Sequence, residues 1–567
     1  MAWFPLFVPK MESATLICPL CQDPVDKLVY RFHLGNERLV IERIKESNPE
    51  WTENDGACSR CVDYYHSELV LKHQVLPDIG PYFPVRSADD FIILPTALRL
   101  DADPRFTGKG ITICLIDSGF YAHPDLTTYK DRIRAMVDIT DSCKDIRYCT
   151  CQESNAWHGT MTSVVCAGDG YLSNGLYKGI ANEADLVLLK VQDEHGGIST
   201  TNIVKALQWV NDHHEQHNIR IVNLSVGTDE TGSYKLSEVD HWSERLIEKG
   251  IIIVAAVGND ENGSIKPPAN APNVIAVGGV DDENTLSQPA KTYHSSYGKT
   301  IDNLMKPELI APAIWIAAPI LPGTRQQKQS AALHELVATK ESDHITELSA
   351  LLVTSELNES VSRQADPTLL HQQAINKIRN CKYISAHYMH VDGTSFAAPI
   401  VTAIAAQLLQ ANPNLTPAMV REVIFSTAKR MPGVAAEKQG FGIIQPRKAL
   451  LKILKREVIG KPHLSPYVNS QKKEIEFYIQ SDCAYHISLV GDFNQWMPDV
   501  LQFEPGRNGI WKTTIPLLPA GQYRYKFVID ETTWIEDVDN AFRDPDGYGG
   551  FNSILTIDQT NHDDHSQ

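Results

Sequence analysis

The sequence predicts an α/β domain built on a parallel sheet with helices on both faces, preceded by a small cysteine-rich module and followed by a β-sandwich. Paired cysteines near the start, apolar runs alternating with helical-period segments in the middle, and turn-punctuated β texture near the end carry that reading. With 567 residues the chain has room for several domains. Its composition, 43% apolar and 22% charged, is that of a globular chain able to bury cores. Lys+Arg of 52 against Asp+Glu of 70 gives a net charge of −18, which opposes generic binding to nucleic acid or anionic lipid. No apolar run reaches the ~18 residues of a membrane span. Residues 1–10 are apolar but have no basic start and meet Glu12 almost at once, a poor secretory signal. Eleven cysteines, an odd number, then suggest a reducing compartment, and a cytoplasmic location is expected.

Taken in order, residues 1–80 hold Cys18-x2-Cys21 and Cys58-x2-Cys61 around a helix-prone stretch, 39–46, closed by Asp55-Gly56. Each Cys-x2-Cys turn can present two thiolates ~2.3 Å from one ion, so these four suit a closed structural zinc site. Their 36-residue separation exceeds the usual spacing of a zinc ribbon and allows an inserted hairpin or helix. From residue 95 to about 455, short apolar runs (111–116, 184–191, 219–224, 251–257, 274–280) alternate with helical segments such as Ile203-x2-Ala206-Leu207-x2-Val210. That rhythm predicts the parallel sheet. Residues 323–387 interrupt it with charged helices around Leu333, Leu336, Leu351 and Leu352. Residues 473–558 read as short strands punctuated by Gly, Pro and Asn, a small sandwich.

The middle domain contains fragments that fit nucleophilic catalysis. Ile116-Asp117-Ser118-Gly119 ends a buried run, His158-Gly159-Thr160 opens a helix, and Gly393-Thr394-Ser395 opens another, rich in small residues. A serine hydroxyl needs a base within hydrogen-bond reach, and a carboxylate behind a histidine fixes the ring and stabilises its charged form. Asn259, just past the run 251–257, can donate its amide to an oxyanion. Each residue alone also fits a cap or a turn.

Together and in the order Asp, His, Ser, these fragments resemble the subtilisin-like serine proteases, the subtilases. The resemblance covers about 95–320 and 388–450 and implies peptide-bond hydrolysis through an acyl-enzyme. It implies Asp117 as orienting residue, His158 as general base and acid, Ser395 as nucleophile and Asn259 as oxyanion donor. Asn223-Leu224-Ser225-Val226-Gly227 resembles the family segment that pairs with substrate backbone, making Ser225, Val226 and Gly227 substrate-binding candidates. Calcium is frequent in the family, but no ligands are assignable here. An inactive relative is the alternative, a glycan-binding scaffold with a dead or permanently covered protease domain. Ser395 follows His158 by 237 residues, against roughly 157 in subtilisin. Most of the excess is the 323–387 insertion, read equally as a lid or inhibitor over the cleft and as surface elaboration. The run after Pro312 lacks the family's glycine. Cys143, Cys149 and Cys151 form either a metal or redox site or three incidental thiols.

Near the C-terminus, Gly491-Asp492-Phe493-Asn494-x-Trp496, the run 521–530, Trp534 and Asn552 resemble the glycogen-binding domain of the AMP-activated kinase beta subunit, an early-set sandwich. The resemblance implies that Trp496 and Trp534 stack on glucose rings while Lys526 and Asn552 hydrogen-bond hydroxyls. Trp511, inside a strand pattern, reads as core. The alternative is a sandwich kept for protein contact. The expected partners are polypeptides and glycogen or another α-glucan, with no nucleic acid and no membrane. A carbohydrate-active enzyme is disfavoured because no carboxylate pair suits glycoside hydrolysis.

Overall fold

A computed structural model of the chain describes residues 16–25, 28, 38–73, 93–141, 144–145, 156–228, 230–286, 290–338, 345–357, 367–455, 464–469, 471–481, 484–506 and 509–557. Cys143, Cys149 and Cys151 lie outside the described residues.

The N-terminal unit pairs a hairpin, β1 (Leu16–Ile17) and β2 (Pro24–Val25), with two helices, α1 (Arg38–Ser47) and α2 (Ser59–His73). Helix α1 turns Val40, Ile41 and Ile44 inward against Trp51 and Tyr65, an i, i+1, i+4 face. Gly56 closes the following turn at φ 70°, a backbone that glycine adopts without strain.

The α/β domain is organised by a nine-stranded sheet. Its strands include β3 (Thr112–Asp117), β4 (Ile133–Asp138), β5 (Asp185–Lys190), β6 (Ile219–Leu224), β7 (Ile252–Ala256), β8 (Ile275–Asp281) and β9 (Leu309–Pro312). They pair parallel in the spatial order β9–β8–β7–β6–β3–β5–β4. Strands buried on both faces need apolar residues at every position, so these segments read as unbroken apolar runs. Helix α3 (Trp157–Ala167) is followed by α4 (Thr200–His217), which buries Ile203, Ala206, Leu207 and Val210, the stripe its sequence period predicts. Ser199 caps it, its hydroxyl accepting from the Asn202 N–H. Helix α5 (Glu238–Glu248) packs beside it.

Beyond β9, strand β10 (Ile316–Pro319) leads into the insertion. The helices α6 (Arg325–Ala338), α7 (Ile345–Ser355) and α8 (Pro367–Asn380) enclose a separate core of Ile320, Leu333, Leu336, Leu352, Leu370 and Tyr383. The chain returns through β11 (Tyr383–Ser385) and β12 (Tyr388–Val391), and β12 pairs antiparallel with β10. Where the family's glycine is missing, Trp315 takes φ 60°, a conformation costing a side chain about 1–2 kcal/mol. Its indole stacks on His390 at 5.1 Å and donates to Asp281 Oδ1 at 2.8 Å, while its carbonyl accepts from Arg99 at 2.6 Å. These contacts offset the strain.

Helix α9 (Thr394–Ala411) runs under β6, β7 and β8 and is buried almost throughout. By length and composition it is apolar enough to cross a membrane, yet 83% of that stretch is buried inside the domain.

The sandwich packs one sheet of β13 (Tyr467–Asn469), β14 (Glu474–Gln480), β16 (Glu504–Pro505) and β17 (Ile510–Pro516) on another. The second sheet contains β15 (Ile487–Gly491), β18 (Gly521–Ile529), β19 (Thr533–Ile535), β20 (Arg543–Pro545) and β21 (Phe551–Ile557). Between them lie Ile475, Phe477, Leu489, Tyr525 and Phe527, with Trp511 in the core as its strand pattern predicts. The sandwich is joined to the α/β domain by Arg543, whose guanidinium lies 4.2 Å from the Phe441 ring centre and 4.4 Å from that of Phe551. Arg430 pairs with Glu536, and Lys299 with Asp544, across the same junction.

Candidate active site

The expected catalytic side chains converge at the carboxyl ends of the central strands, where ligands bind in open α/β sheets. Asp117 ends β3 and has no solvent exposure. Helix α3 brings His158 to it in its first turn, with His158 Nδ1 at 2.6 Å from Asp117 Oδ1. The Ser118 N–H donates to the same oxygen at 2.7 Å. Such close approach of helix to strand needs Gly159, since a Cβ there would fall 2.3 Å from the Gly119 carbonyl oxygen and 3.0 Å from the Asp117 Cβ. Burial works to lower the His158 pKa, but the charge and hydrogen bond of Asp117 outweigh it, and the value lies above the ordinary histidine range.

Ser395 sits in the first turn of α9. Its Oγ donates to the Ser225 carbonyl at 3.2 Å, and the Ser225 hydroxyl donates to the Ser395 carbonyl at 2.8 Å. Asn223, held by Thr402, steadies the Ser225 hydroxyl at 2.9 Å. The serine hydroxyl therefore rests on the Ser225 backbone just past β6, and catalytic hydrogen bonds of this kind often tighten only once substrate is bound.

Asn259 lies just past β7. Its Oδ1 accepts from both the backbone N–H and the hydroxyl of Thr394, at 2.8 and 3.0 Å. That leaves the Nδ2 group to donate, the orientation an oxyanion donor requires. Residues 225–227 continue from β6, with Ser225 buried, Val226 half-buried and Gly227 exposed. A cleft of about 410 Å³ opens beside them, lined by Trp157, His158, Gln192, Ile198, Ser225 and Val226. No described residue of the 323–387 insertion lines it.

Sequence reasoning missed Trp157, Gln192 and Ile198 as cleft walls, and Thr162 and Thr394 as supports. Thr394 stood inside the Gly-Thr-Ser fragment. Thr162 lies four residues after His158, the spacing that puts both on one helix face, and its hydroxyl reaches Asp117 Oδ2 at 2.9 Å.

Two further sites were expected. The sulfurs of Cys18, Cys21, Cys58 and Cys61 all lie within 4.8 Å of one another, with Cys18–Cys61 at 3.9 Å and Cys21–Cys58 at 3.8 Å. Four thiolates at ~2.3 Å around one ion have edges of about 3.8 Å, so the set fits a tetrahedral metal. The first pair sits on the β1–β2 hairpin, but the second opens helix α2 instead of forming another hairpin. Helix α1 fills the long spacing between them, which is where the module departs from a ribbon.

On the sandwich, Trp534 is 45% exposed, opposite Val528 on β18. Strand alternation puts Lys526 on the same face as Val528, and the β18–β21 register places Asn552 beside Lys526. Lys526, expected to meet sugar hydroxyls, is only 7% exposed, and its ammonium is bound by Asp546. Trp496 is half-buried after β15, its indole N–H donating to Asp492 at 3.0 Å. Trp534 is held in register by the pairing of β19 with β18, and Asp537 accepts from the Tyr525 hydroxyl at 2.8 Å.

Residues 108–442 match the subtilase family, and the chain belongs to that family. Residues 464–545 match carbohydrate-binding module 48, the isoamylase N-terminal domain. Serine protease AprX of Bacillus subtilis (strain 168) is 28% identical over 333 residues, covering 56% of this chain and 61% of its own. Subtilisin Savinase of Lederbergia lenta is 28% identical over 209 residues, 37% of this chain and 65% of its own. The chain thus spans less than two thirds of either relative's length. Among solved structures, fervidolysin from Fervidobacterium pennivorans is 19% identical with a TM-score of 0.44, covering 76% of this chain and 55% of that one.

The electrostatics of His158 predict a measurable titration. Its ring resonances should titrate above the usual histidine value in the wild type and fall below it in Asp117→Asn, where burial remains and the charge is gone. A pKa unchanged by Asp117→Asn in the NMR titration would contradict the assigned pairing.

Proposed function

We propose that the chain is a serine endopeptidase of the subtilisin type, held to glycogen or another α-glucan by its sandwich. The observation that carries this is the Asp117–His158 hydrogen bond, with the His158 ring 5.8 Å from that of Phe396, the neighbour of Ser395, and an Asn259 amide turned to donate. Ser395 Oγ attacks the peptide carbonyl as His158 Nε2 takes its proton, while Asp117 holds Nδ1 and stabilises the imidazolium. The Asn259 Nδ2 group and the Ser395 N–H receive the oxyanion. His158 returns the proton to the leaving amine, and water then resolves the acyl-enzyme by the reverse path. Peptide backbone pairs along 225–227, with side chains meeting Trp157, Ile198 and Val226. A permanently covered site is the weaker reading, since the described insertion residues form a core of their own and none of them lines the cleft.

A fluorophosphonate probe should label the wild type and not Ser395→Ala. Asn259→Ala should slow peptide cleavage by about 10²–10³-fold, an oxyanion donor being worth roughly 3–4 kcal/mol. Absence of labelling in the folded wild type would refute the peptidase reading.

For the sandwich, Trp534 supplies the exposed stacking surface and the match to module 48 supports a glycan ligand. Full-length Ser395→Ala should be retarded in a glycogen-containing native gel, and adding Trp534→Ala should abolish the retardation. Equal mobility with and without glycogen would favour the protein-contact alternative.

For the N-terminal unit, the sulfur spacing supports one structural zinc held by Cys18, Cys21, Cys58 and Cys61. With four protein ligands no position is open for a substrate, so the ion would stabilise the module. Purified full-length protein should contain one zinc per chain, falling sharply in Cys58→Ser. Metal-free, folded wild type would reject the assignment.

A further inference from the structure

The buried Asp117 carboxylate is gripped on both oxygens by one helix. His158 takes Oδ1 and, one turn later on the same face of α3, the Thr162 hydroxyl takes Oδ2 at 2.9 Å. We propose that Thr162 is a positioning residue of the triad, its hydroxyl holding the Asp117 carboxylate in the orientation that His158 needs. This rests on the peptidase reading above.

A single proton decides which acceptor Thr162 serves. Thr162 Oγ1 also lies 3.0 Å from the Gly159 carbonyl, and a hydroxyl has one hydrogen to give. A carbonyl is neutral and the carboxylate is charged, and a hydrogen bond to an ionised acceptor is roughly twice as strong. The proton therefore goes to Asp117. Bulk solvent does not reach the pair, since Thr162 and Asp117 are both without solvent exposure. A carboxylate bonded through only one oxygen can swing about its Cβ–Cγ bond. With Oδ1 held by His158 and the Ser118 N–H, and Oδ2 held by Thr162, rotation breaks a bond in either direction.

The hydroxyl also bears on protonation. A donor at Oδ2 draws charge from the carboxylate and weakens its hold on the His158 proton. Among the described residues Asp117 is the charged group acting on His158. Losing the Thr162 hydroxyl therefore strengthens that hold, raises the pH at which His158 becomes the neutral base, and moves the acid limb of activity upward.

Valine matches threonine in shape and lacks only the hydroxyl. The test is the rate of fluorophosphonate labelling of the full-length chain as a function of pH, for wild type, Thr162→Val and Thr162→Ser, with Ser395→Ala as blank. Thr162→Val should label about tenfold more slowly on the plateau, a modest loss of alignment, with its acid limb at higher pH. Thr162→Ser should restore both. A Thr162→Val variant matching wild type in rate and acid limb overturns the proposal, as does a serine variant as slow as the valine one, which would assign the effect to methyl packing. Thr162→Ala provides the same comparison where the valine variant fails to fold. Wild type unlabelled at every pH instead overturns the peptidase reading, so the two failures are distinct.

Discussion

The site depends on one buried negative charge. Asp117 is fully enclosed, and a carboxylate taken out of water needs donors in place of the water it has lost. The backbone of Ser118, the ring of His158 and the hydroxyl of Thr162 supply them. Much of the surrounding architecture follows from bringing these donors together. Strand β3 must end at residue 117, α3 must start against that end, and Gly159 must lack a side chain for the two to meet. A larger residue at 159 would separate the acid from the base long before it unfolded the sheet.

Much of this was legible in the sequence because each catalytic residue sits at a boundary with a strong local signature. Apolar runs marked the strands, and Asp117 and Asn259 stand where two of them end. His158 and Ser395 stand where small-residue helices begin. What escaped notice was support given by ordinary residue types across long chain separations. Thr162 and Thr394 read as unremarkable helix residues, and only the fold shows which acceptors their hydroxyls face. Lys526, which the resemblance sets against sugar hydroxyls, likewise has a partner that only the fold reveals, the Asp546 carboxylate that takes its ammonium. The cysteine spacing left room for an inserted hairpin or helix, and α1 forms on the helix-prone stretch 39–46.

The sandwich belongs physically to the α/β body. Arg543 is among the most deeply buried side chains of the chain, and its charge is tolerated because Phe441 and Phe551 present ring faces to it. Burial lowers its pKa to about 10, with Glu308 and Glu536 acting the other way. It therefore remains a cation at neutral pH, and the junction is a desolvated cation between aromatic faces, not a tether between independent beads. A strand pairing at Leu304 and Phe542 fixes the rotation about that point.

The same logic of buried charge fixes the nucleophile. Lys306 has no exposure, and its ammonium bonds the Ala271 and Val274 carbonyls at 2.6 and 3.1 Å and Glu308 Oε1 at 2.5 Å. Glu308 in turn accepts from the Ala276 N–H at 2.9 Å. Enclosed pairs of this kind add little net stability, because desolvation cancels much of their attraction, but a mispaired register would strand both charges. The pair thus fixes β9 against β8, starting at Leu309 opposite Val277. From β9 the chain reaches Ala313, whose carbonyl accepts from the Gly393 N–H at 2.7 Å, two residues before Ser395. A slip of one residue at Leu309 would displace that carbonyl by about 3.3 Å, the rise of a strand residue. The nucleophile loop would then lose its anchor. The insertion can occupy 323–387 without disturbing the site because it enters and leaves through the β10–β12 ribbon, after this register has been set.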